Sequence, residues 1–233
     1  MIPFGSATDT APPDGDAIVM LPLVGASIGA ASGAVGLLAA RWSAEPWPAL
    51  VAFAAMVLLT GAIHIDGFLD SCDGVLASVA PQRRLEILKD PRHGTYAVVG
   101  MVLLALFWVA ALEKIPPEKL VLALTLSGAL ARLSVVPLVR FFRYAYSETT
   151  ARSLDSTAPI AVFLLLTIGT TMLAVVFAPW AALLVPAAFA MSAAIGWACA
   201  RRLGGCLTGD IYGAAIVLVE VALLIAIGLI PWH

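Results

Sequence analysis

The chain is 233 residues long, 61% hydrophobic and 12% charged, with a formal net charge of −2, and its mean hydropathy is +1.00. A soluble domain carries about twice that share of charge, whereas about 20 apolar residues suffice to cross a bilayer. The composition excludes a soluble globule, a disordered regulator and a nucleic-acid-binding domain with a basic excess. It describes an all-α, polytopic integral membrane helical bundle.

Residues 1–16 hold three aspartates and no basic residue, so they lack the positive n-region of a secretory signal. They read as a mobile acidic tail ahead of a single transmembrane domain over 17–233. Windows of about 19 residues place seven spans, near 18–40, 48–65, 95–112, 119–139, 160–177, 180–199 and 211–231. In the first, Gly25, Gly29, Gly33 and Gly36 line one helical face, the spacing of close helix packing in lipid. The stretch 66–80 is a candidate eighth element that dips into the membrane. Cys72, Cys199 and Cys206 show no C-x-x-C spacing and point to neither a structural zinc site nor a redox pair.

The connections set the orientation. Loops 66–94, 140–159 and 200–210 carry nine lysines and arginines, against Arg41, Lys114 and Lys119 on the opposite side. The positive-inside rule puts these three loops and the N-terminus in the cytoplasm, so the polar face is expected to be cytoplasmic and the membrane the inner one.

The strongest local signal follows the second span: His64-Ile65-Asp66-Gly67-Phe68-Leu69-Asp70-Ser71-Cys72-Asp73-Gly74. Asp66, Asp70 and Asp73 fall within about 60° on one helical face. Three like charges at the end of an apolar span are costly unless neutralised. Carboxylates are hard ligands, and Mg2+ binds through one or two of them plus substrate phosphates. An ion or proton relay and a merely solvated face are the competing explanations. Gly67 and Gly74 leave room for close backbone approach.

Next, Gln82–Asp90 forms an amphipathic helix with Leu85 and Leu88 one turn apart. Pro91 breaks it, and Gly94 and Thr95 open the next span. Arg92 suits a phosphate and Asp90 adds a possible metal oxygen, while Arg83 and Arg84 also fit an ordinary basic loop. His64 and His93 read as hydrogen-bonded packing residues rather than ligands. The second polar group, Arg201 to Asp210, contains Gly204, Gly205, Thr208 and Gly209 ahead of the last span. It suits phosphate or a metal-bound water, or Asp210 simply caps the helix. Arg132 and Glu220 lie within spans, as functional residues or as a pair with each other.

The aspartate stretch, together with Leu85-Glu86-Ile87-Leu88-Lys89-Asp90-Pro91-Arg92-His93-Gly94 and the ending Leu203-Gly204-Gly205, Thr208-Gly209-Asp210, Gly213-Ala214-Ala215 and Glu220, resembles the cobalamin synthase family. That family is also called adenosylcobinamide-GDP ribazoletransferase, or cobalamin 5'-phosphate synthase. The likeness runs from about Leu21 to the C-terminus. Three features depart from the family pattern. The acidic tail replaces a segment with an Arg-Leu-Pro-like motif, Pro91 stands where serine is common, and Cys206-Leu207 lengthens a loop.

The resemblance implies a membrane transferase late in coenzyme B12 (adenosylcobalamin) biosynthesis, with 17–233 as its catalytic domain. Adenosylcobinamide-GDP and α-ribazole, or its 5'-phosphate, would give adenosylcobalamin or its phosphate and GMP, through Mg2+-assisted attack of the ribazole 5'-hydroxyl on the cobinamide-linked phosphate. It further implies Asp66, Asp70 and Asp73 as metal ligands, completed by Asp90 or Asp210, with Asp73 or Asp210 as base. Arg92 and Arg84 would clamp the diphosphate. His64, Gly67, Glu86, Lys89, Gly94, Arg132, Gly204, Gly205, Thr208, Gly209 and Glu220 would contact substrate. Partners beyond substrates and lipid are a second copy or other cobalamin-assembly enzymes.

A CDP-alcohol phosphotransferase is the nearest rival, using an aspartate-rich helix on a nucleotide diphosphate. Such enzymes carry Ala-Arg in the first aspartate motif, where this chain has Ser71-Cys72. An ion-coupled transporter would show paired broken helices in two related halves, and no second half corresponds here.

Overall fold

The computed structural model describes residues 15–146 and 157–230. Its helices, in chain order, are α1 (Gly15–Ala39), α2 (Trp47–Leu59), α3 (Ile63–Leu76), α4 (Pro81–Ile87) and α5 (Thr95–Leu112), then α6 (Pro117–Phe141), α7 (Thr157–Phe177), α8 (Leu184–Arg202) and α9 (Gly209–Gly228). A 3-10 turn, Pro179–Leu183, leads into α8. α1 opens at Gly15, so two residues of the expected acidic tail are helical, and residues 1–14 lie outside the described residues.

Among the described residues, five helices are long and apolar enough to cross a membrane, or six if the bent α2–α3 pair is one span, against the seven expected: Met20–Ala39, Thr95–Leu112, Pro117–Phe141, Pro179–Arg202 and Gly209–Gly228. The apolar stretch Ile160–Val176 of α7 is shorter. The span expected over 48–65 is not one helix. It breaks after Leu59, and α2 and α3 meet at 90°. Gly61 and Ala62 both take φ of 61° there. A left-handed alanine costs roughly 1–2 kcal/mol and persists only where its surroundings fix it. A separate helix does cover most of 66–80, but it begins earlier, at Ile63, and ends at Leu76, so His64 belongs to it.

Two short strands interrupt the all-helical plan. β1 (Arg143–Tyr144) and β2 (Cys206–Leu207) pair in parallel, Arg143 opposite Cys206 and Tyr144 opposite Leu207. The Ala145 N–H extends the ladder to the Leu207 carbonyl at 2.8 Å. Two residues per strand are too few to show a period of two in sequence.

The core lies along α6 and α9, whose buried residues include Leu124, Leu130, Leu133, Ile211, Ala215 and Leu224. Leucines on α1, α5 and α7, such as Leu23, Leu103 and Leu165, are exposed in the protein alone, as lipid-facing sides are. The glycine face expected on α1 seats this helix on α6. A Cβ at Gly29 would stand 2.0 Å from the Leu124 carbonyl oxygen, closer than any atom can approach. Small residues let two backbones touch where lipid supplies no hydrophobic drive.

The connections sort to two ends. Ser43, Glu45, Glu113, Lys114 and Gly228 line one cavity of about 590 Å3. Lys89, Tyr144, Tyr146 and Asp210 line another of about 510 Å3. The loops before α2 and α6 thus share one end. Those before α5, after α6 and before α9 share the other.

Gly29→Val is expected to lower the thermal midpoint of the detergent-purified protein by roughly 3–10 °C, the cost of overpacking a tight contact. Gly169→Ala, where a Cβ meets nothing within 4 Å, should leave it level or slightly raised. Thermal unfolding curves of the two variants make the comparison.

Candidate active site

α3 carries the aspartate stripe to one end of the bundle, and its contact with α9 completes the site. A Cβ on Gly67 would lie 2.9 Å from both the Cα and the carbonyl oxygen of Asp210. Only a glycine lets the two helices approach this closely. Gly213 of α9 repeats the fit one turn on, against the backbone of His64. The result is that Asp210, 140 positions after Asp70 in the numbering, joins the stripe.

Asp70 is the electrostatic centre. Its neighbours Asp66, Asp210 and Asp73 repel its charge, and His93 attracts it. Its side chain is 17% exposed, against 65% for Asp66. The His93 ring stands between the two, Nδ1 3.6 Å from an Asp70 oxygen and Nε2 3.9 Å from an Asp66 oxygen. His93, read from sequence as a packing residue, thus faces the carboxylates.

Asp73 is engaged differently. It accepts hydrogen bonds from the backbone N–H of Gly94 and, at 3.1 Å, of Ala97. These are orphan donors at the start of α5, where a negative charge is favoured. Gly94 is needed because a Cβ would stand 2.9 Å from an Asp73 oxygen. Asp210 sits in the first turn of α9, and its carboxylate accepts a 3.0 Å hydrogen bond from the Thr208 hydroxyl.

Among the described residues, no three His, Cys, Asp or Glu side chains converge as a ready-made metal shell. The donor set nevertheless suits a divalent cation. Its oxygens are hard ligands, and Asp66 and Asp70 flank a single histidine, His93. With Asp73 committed to α5, Asp66 and Asp70 are the residues that fit.

Other expected site residues are held elsewhere. Arg92 forms a two-pronged ion pair with Asp90, at 2.9 and 2.8 Å, and its N–H adds a third bond at 3.1 Å. These bonds pull the Asp90 carboxyl down to about 2. Arg84 donates to the Val75 and Val79 carbonyls, and Arg202 donates to Val75 at 3.0 Å, so both arginines close the C-terminal end of α3. Glu86 pairs with Arg83 in the exposed α4. Gly204 and Gly205 take φ of 76° and 89° and end α8, the Gly205 N–H reaching the Ala200 carbonyl at 2.8 Å. Gly209 and Lys89 line the 510 Å3 cavity with Asp210.

Arg132 and Glu220 face one another between α6 and α9, 3.5 Å apart and 1% and 3% exposed. They meet inside the bundle, not on its polar end. Sequence reasoning passed over Tyr144 and Tyr146. Arg143-Tyr144-Ala145-Tyr146 does alternate with period two, the one signal that marked a short extended segment.

Fold and site together define a multi-pass helical membrane protein with an acidic end beside a polar cavity. A family model described as Cobalamin-5-phosphate synthase matches residues 1–228, and the chain belongs to that family. Relatives named adenosylcobinamide-GDP ribazoletransferase include one from Klebsiella pneumoniae strain 342, 32% identical over 213 residues. Another, from Klebsiella pneumoniae subsp. pneumoniae, is 33% identical over 218 residues, and one from Escherichia coli K12 / DH10B is 32% identical over 225. Each alignment covers 90% of this chain and 86% of the relative. No solved structure matches.

Two outcomes follow from these pairings. Arg92→Gln should return the Asp90 titration from about 2 to the ordinary carboxylate range near 3.9, read by carboxyl-carbon NMR. In the parent protein the Asp90–Arg92 pair holds down to that low pH and opens as Asp90 protonates below it. Arg132→Met alone strands a buried carboxylate and should cost roughly 3–5 kcal/mol, whereas the double variant Arg132→Met/Glu220→Leu should recover most of the loss. Unfolding in mixed micelles compares them.

Proposed function

We propose that the chain is an adenosylcobinamide-GDP ribazoletransferase. It joins adenosylcobinamide-GDP to α-ribazole or its 5'-phosphate, yielding adenosylcobalamin or its 5'-phosphate and GMP. The observation that carries this reading is the meeting of Asp66 and Asp70 on α3 with Asp210 on α9, beside a polar cavity. The family and the named relatives support the same activity.

The chemistry exchanges one phosphorus–oxygen bond. A ribazole hydroxyl attacks the cobinamide-linked phosphorus, the bond to GMP breaks, and the hydroxyl proton passes to a base. The product in the family's name, a cobalamin 5-phosphate, refines which hydroxyl acts. With the ribazole 5'-phosphate, the 5' oxygen is already esterified, so a secondary ribose hydroxyl replaces the expected 5'-hydroxyl as nucleophile. Mg2+ held by Asp66 and Asp70 would neutralise the diphosphate and the charge developing on it. Asp210, which lines the cavity, takes the proton; Asp73 is less suited because backbone N–H groups of α5 hold it. His93 fixes the orientation of Asp70 from the solvent side. No covalent enzyme intermediate is needed, because positioning and charge supply the catalysis.

We also assign the site to the cytoplasmic face of the inner membrane. Arg83, Arg84, Lys89, Arg92, Arg140, Arg143, Arg201 and Arg202 belong to the site end, and Arg41, Lys114 and Lys119 to the other, the bias of a cytoplasmic side.

Reconstituted protein given both substrates should release GMP and form a cobalamin product with Mg2+, and neither with a chelator. Asp70→Asn should lower turnover by a hundredfold or more at saturating Mg2+. Gly67→Ala, which forces α3 from α9, should cost about a hundredfold through misplacement alone. Full turnover in Asp70→Asn would remove the metal role. Turnover with CDP-alcohol substrates, and none with cobinamide-GDP, would transfer the site to the rival chemistry.

A further inference from the structure

We propose that the cavity beside the carboxylates is a base-stacking subsite, in which Tyr146, braced by Tyr144, takes the planar ring of a nucleotide substrate and Lys89 takes its phosphate. This rests on the function proposed above and names a specificity element within it. The cavity measures about 510 Å3 and is lined by Leu88, Lys89, Tyr144, Tyr146, Gly209 and Asp210. That size falls in the roughly 300–1,000 Å3 range of small-molecule sites.

Three stretches distant in sequence build this cavity, and each is anchored. Leu88 is buried at 4% exposure against α3, where a Cβ on Gly74 would meet its side chain at 2.6 Å. This fixes the root of Lys89. The tyrosine segment is tied to β2 through the Tyr144–Leu207 register and the Ala145 N–H. Asp210 is set by the α3–α9 contact at Gly67.

The contents match a nucleotide. Lys89 Nζ stands 3.8 Å from the centroid of the Tyr146 ring. Tyr144 meets that ring at a near right angle, with centroids 5.8 Å apart and planes at 88°, which braces the Tyr146 ring. An ammonium resting on an aromatic face is held weakly at an exposed position. A phosphate binds it more strongly through charge-assisted hydrogen bonds. Drawing Lys89 onto a phosphate uncovers the Tyr146 face for the base of the same ligand. Asp210 both lines the cavity and repels Asp70, so a nucleotide seated here reaches the reacting carboxylates. Two substrates offer this chemistry: the guanine end of the cobinamide nucleotide and the ribazole phosphate.

The test is a two-substrate kinetic comparison of Tyr146→Leu, Tyr146→Phe and Lys89→Met in reconstituted full-length protein. GMP release is followed while each substrate is varied in turn. Tyr146→Leu should raise the KM of one substrate by about tenfold or more, the loss of one aromatic stack, with a far smaller change in kcat. Tyr146→Phe, which keeps the ring, should restore the parent KM. A raised KM for adenosylcobinamide-GDP assigns guanine to the subsite, and one for the ribazole assigns the lower base. Lys89→Met should raise KM for the phosphorylated ribazole more than for the free nucleoside if the ribazole is the occupant, and for the GDP substrate if guanine is.

Unchanged KM values for both substrates in Tyr146→Leu, or Tyr146→Phe behaving like Tyr146→Leu, would overturn the subsite. Calorimetric binding of GMP and of α-ribazole 5'-phosphate separates this result from failure of the proposed function. If the parent protein releases no GMP yet binds one nucleotide that Tyr146→Leu loses and Tyr146→Phe keeps, the subsite stands and the reaction assignment falls. If the parent turns over and neither variant changes binding, the reaction stands and the subsite falls. Should Tyr146→Leu not fold, the Lys89→Met arm decides, with an unchanged KM for every phosphorylated substrate counting against the proposal.

Discussion

Repulsion among carboxylates is the constraint around which the polar end is organised. Burial is the first cost of a charge on Asp70, and repulsion from Asp66, Asp210 and Asp73 adds to it. Left alone, such a group would splay apart. The fold prevents this with backbone contacts that charge cannot reopen. Gly67 brings α3 against the backbone of Asp210, and Gly213 brings α9 against that of His64. The acidic cluster is held together by steric fit, and its unfavourable energy becomes affinity for whatever cation relieves it.

That fit depends in turn on rigid supports deeper in the bundle. α6 and α9 supply most of the buried core, and their buried Arg132–Glu220 pair lies between them. A buried ion pair adds little net stability over apolar packing, but it tolerates few alternative registers because removing either partner strands the other. α1 is seated on α6 through its glycine face, and a Cβ on Gly25 would meet the Arg132 side chain at 2.6 Å, so α1 packs directly against one partner of that pair. The site end is then finished by arginines. Arg84 and Arg202 both cap the end of α3 at Val75, joining the α4 segment and the end of α8 to the helix that carries the aspartates. These two basic residues act on the architecture, whereas Lys89 alone among the nearby cations lines the cavity.

What could be seen in the sequence follows the range of the signal. The long apolar runs gave their helices because hydropathy is a local sum, and Thr95–Leu112 falls where its window places it. The aspartate stripe was legible because helical periodicity is also local. The break at Thr60–Ala62 was not, since only Thr60, Gly61 and His64 interrupt the apolar run 48–65 and no proline marks the turn. Nor was the union of Asp210 with Asp70, which depends on a helix–helix contact between distant segments. Arg92 and Asp90 illustrate the opposite limit. Their types suited phosphate and metal, yet two residues of separation in a loop let them satisfy each other first. The strand pair and its tyrosines escaped notice because two-residue strands are specified by tertiary position, not by propensity.

The right-angle turn between α2 and α3 explains why a stripe of three aspartates is tolerable beside a membrane at all. Seven residues separate Asp66 from Asp73, about 10 Å along a helix axis. Had the span over 48–65 simply continued, those 10 Å would be measured along the direction of α2, and each carboxylate would meet a different depth of surroundings. Turned through 90°, the same stripe runs across the direction of α2. It thereby meets the segments that bring His93 and Asp210. The cost of Ala62 in a left-handed conformation is small beside the cost of placing even one carboxylate in hydrocarbon. A local backbone penalty thus permits a row of charges that membrane depth would otherwise forbid, and the α9 contact at Gly67 then turns that row into a site.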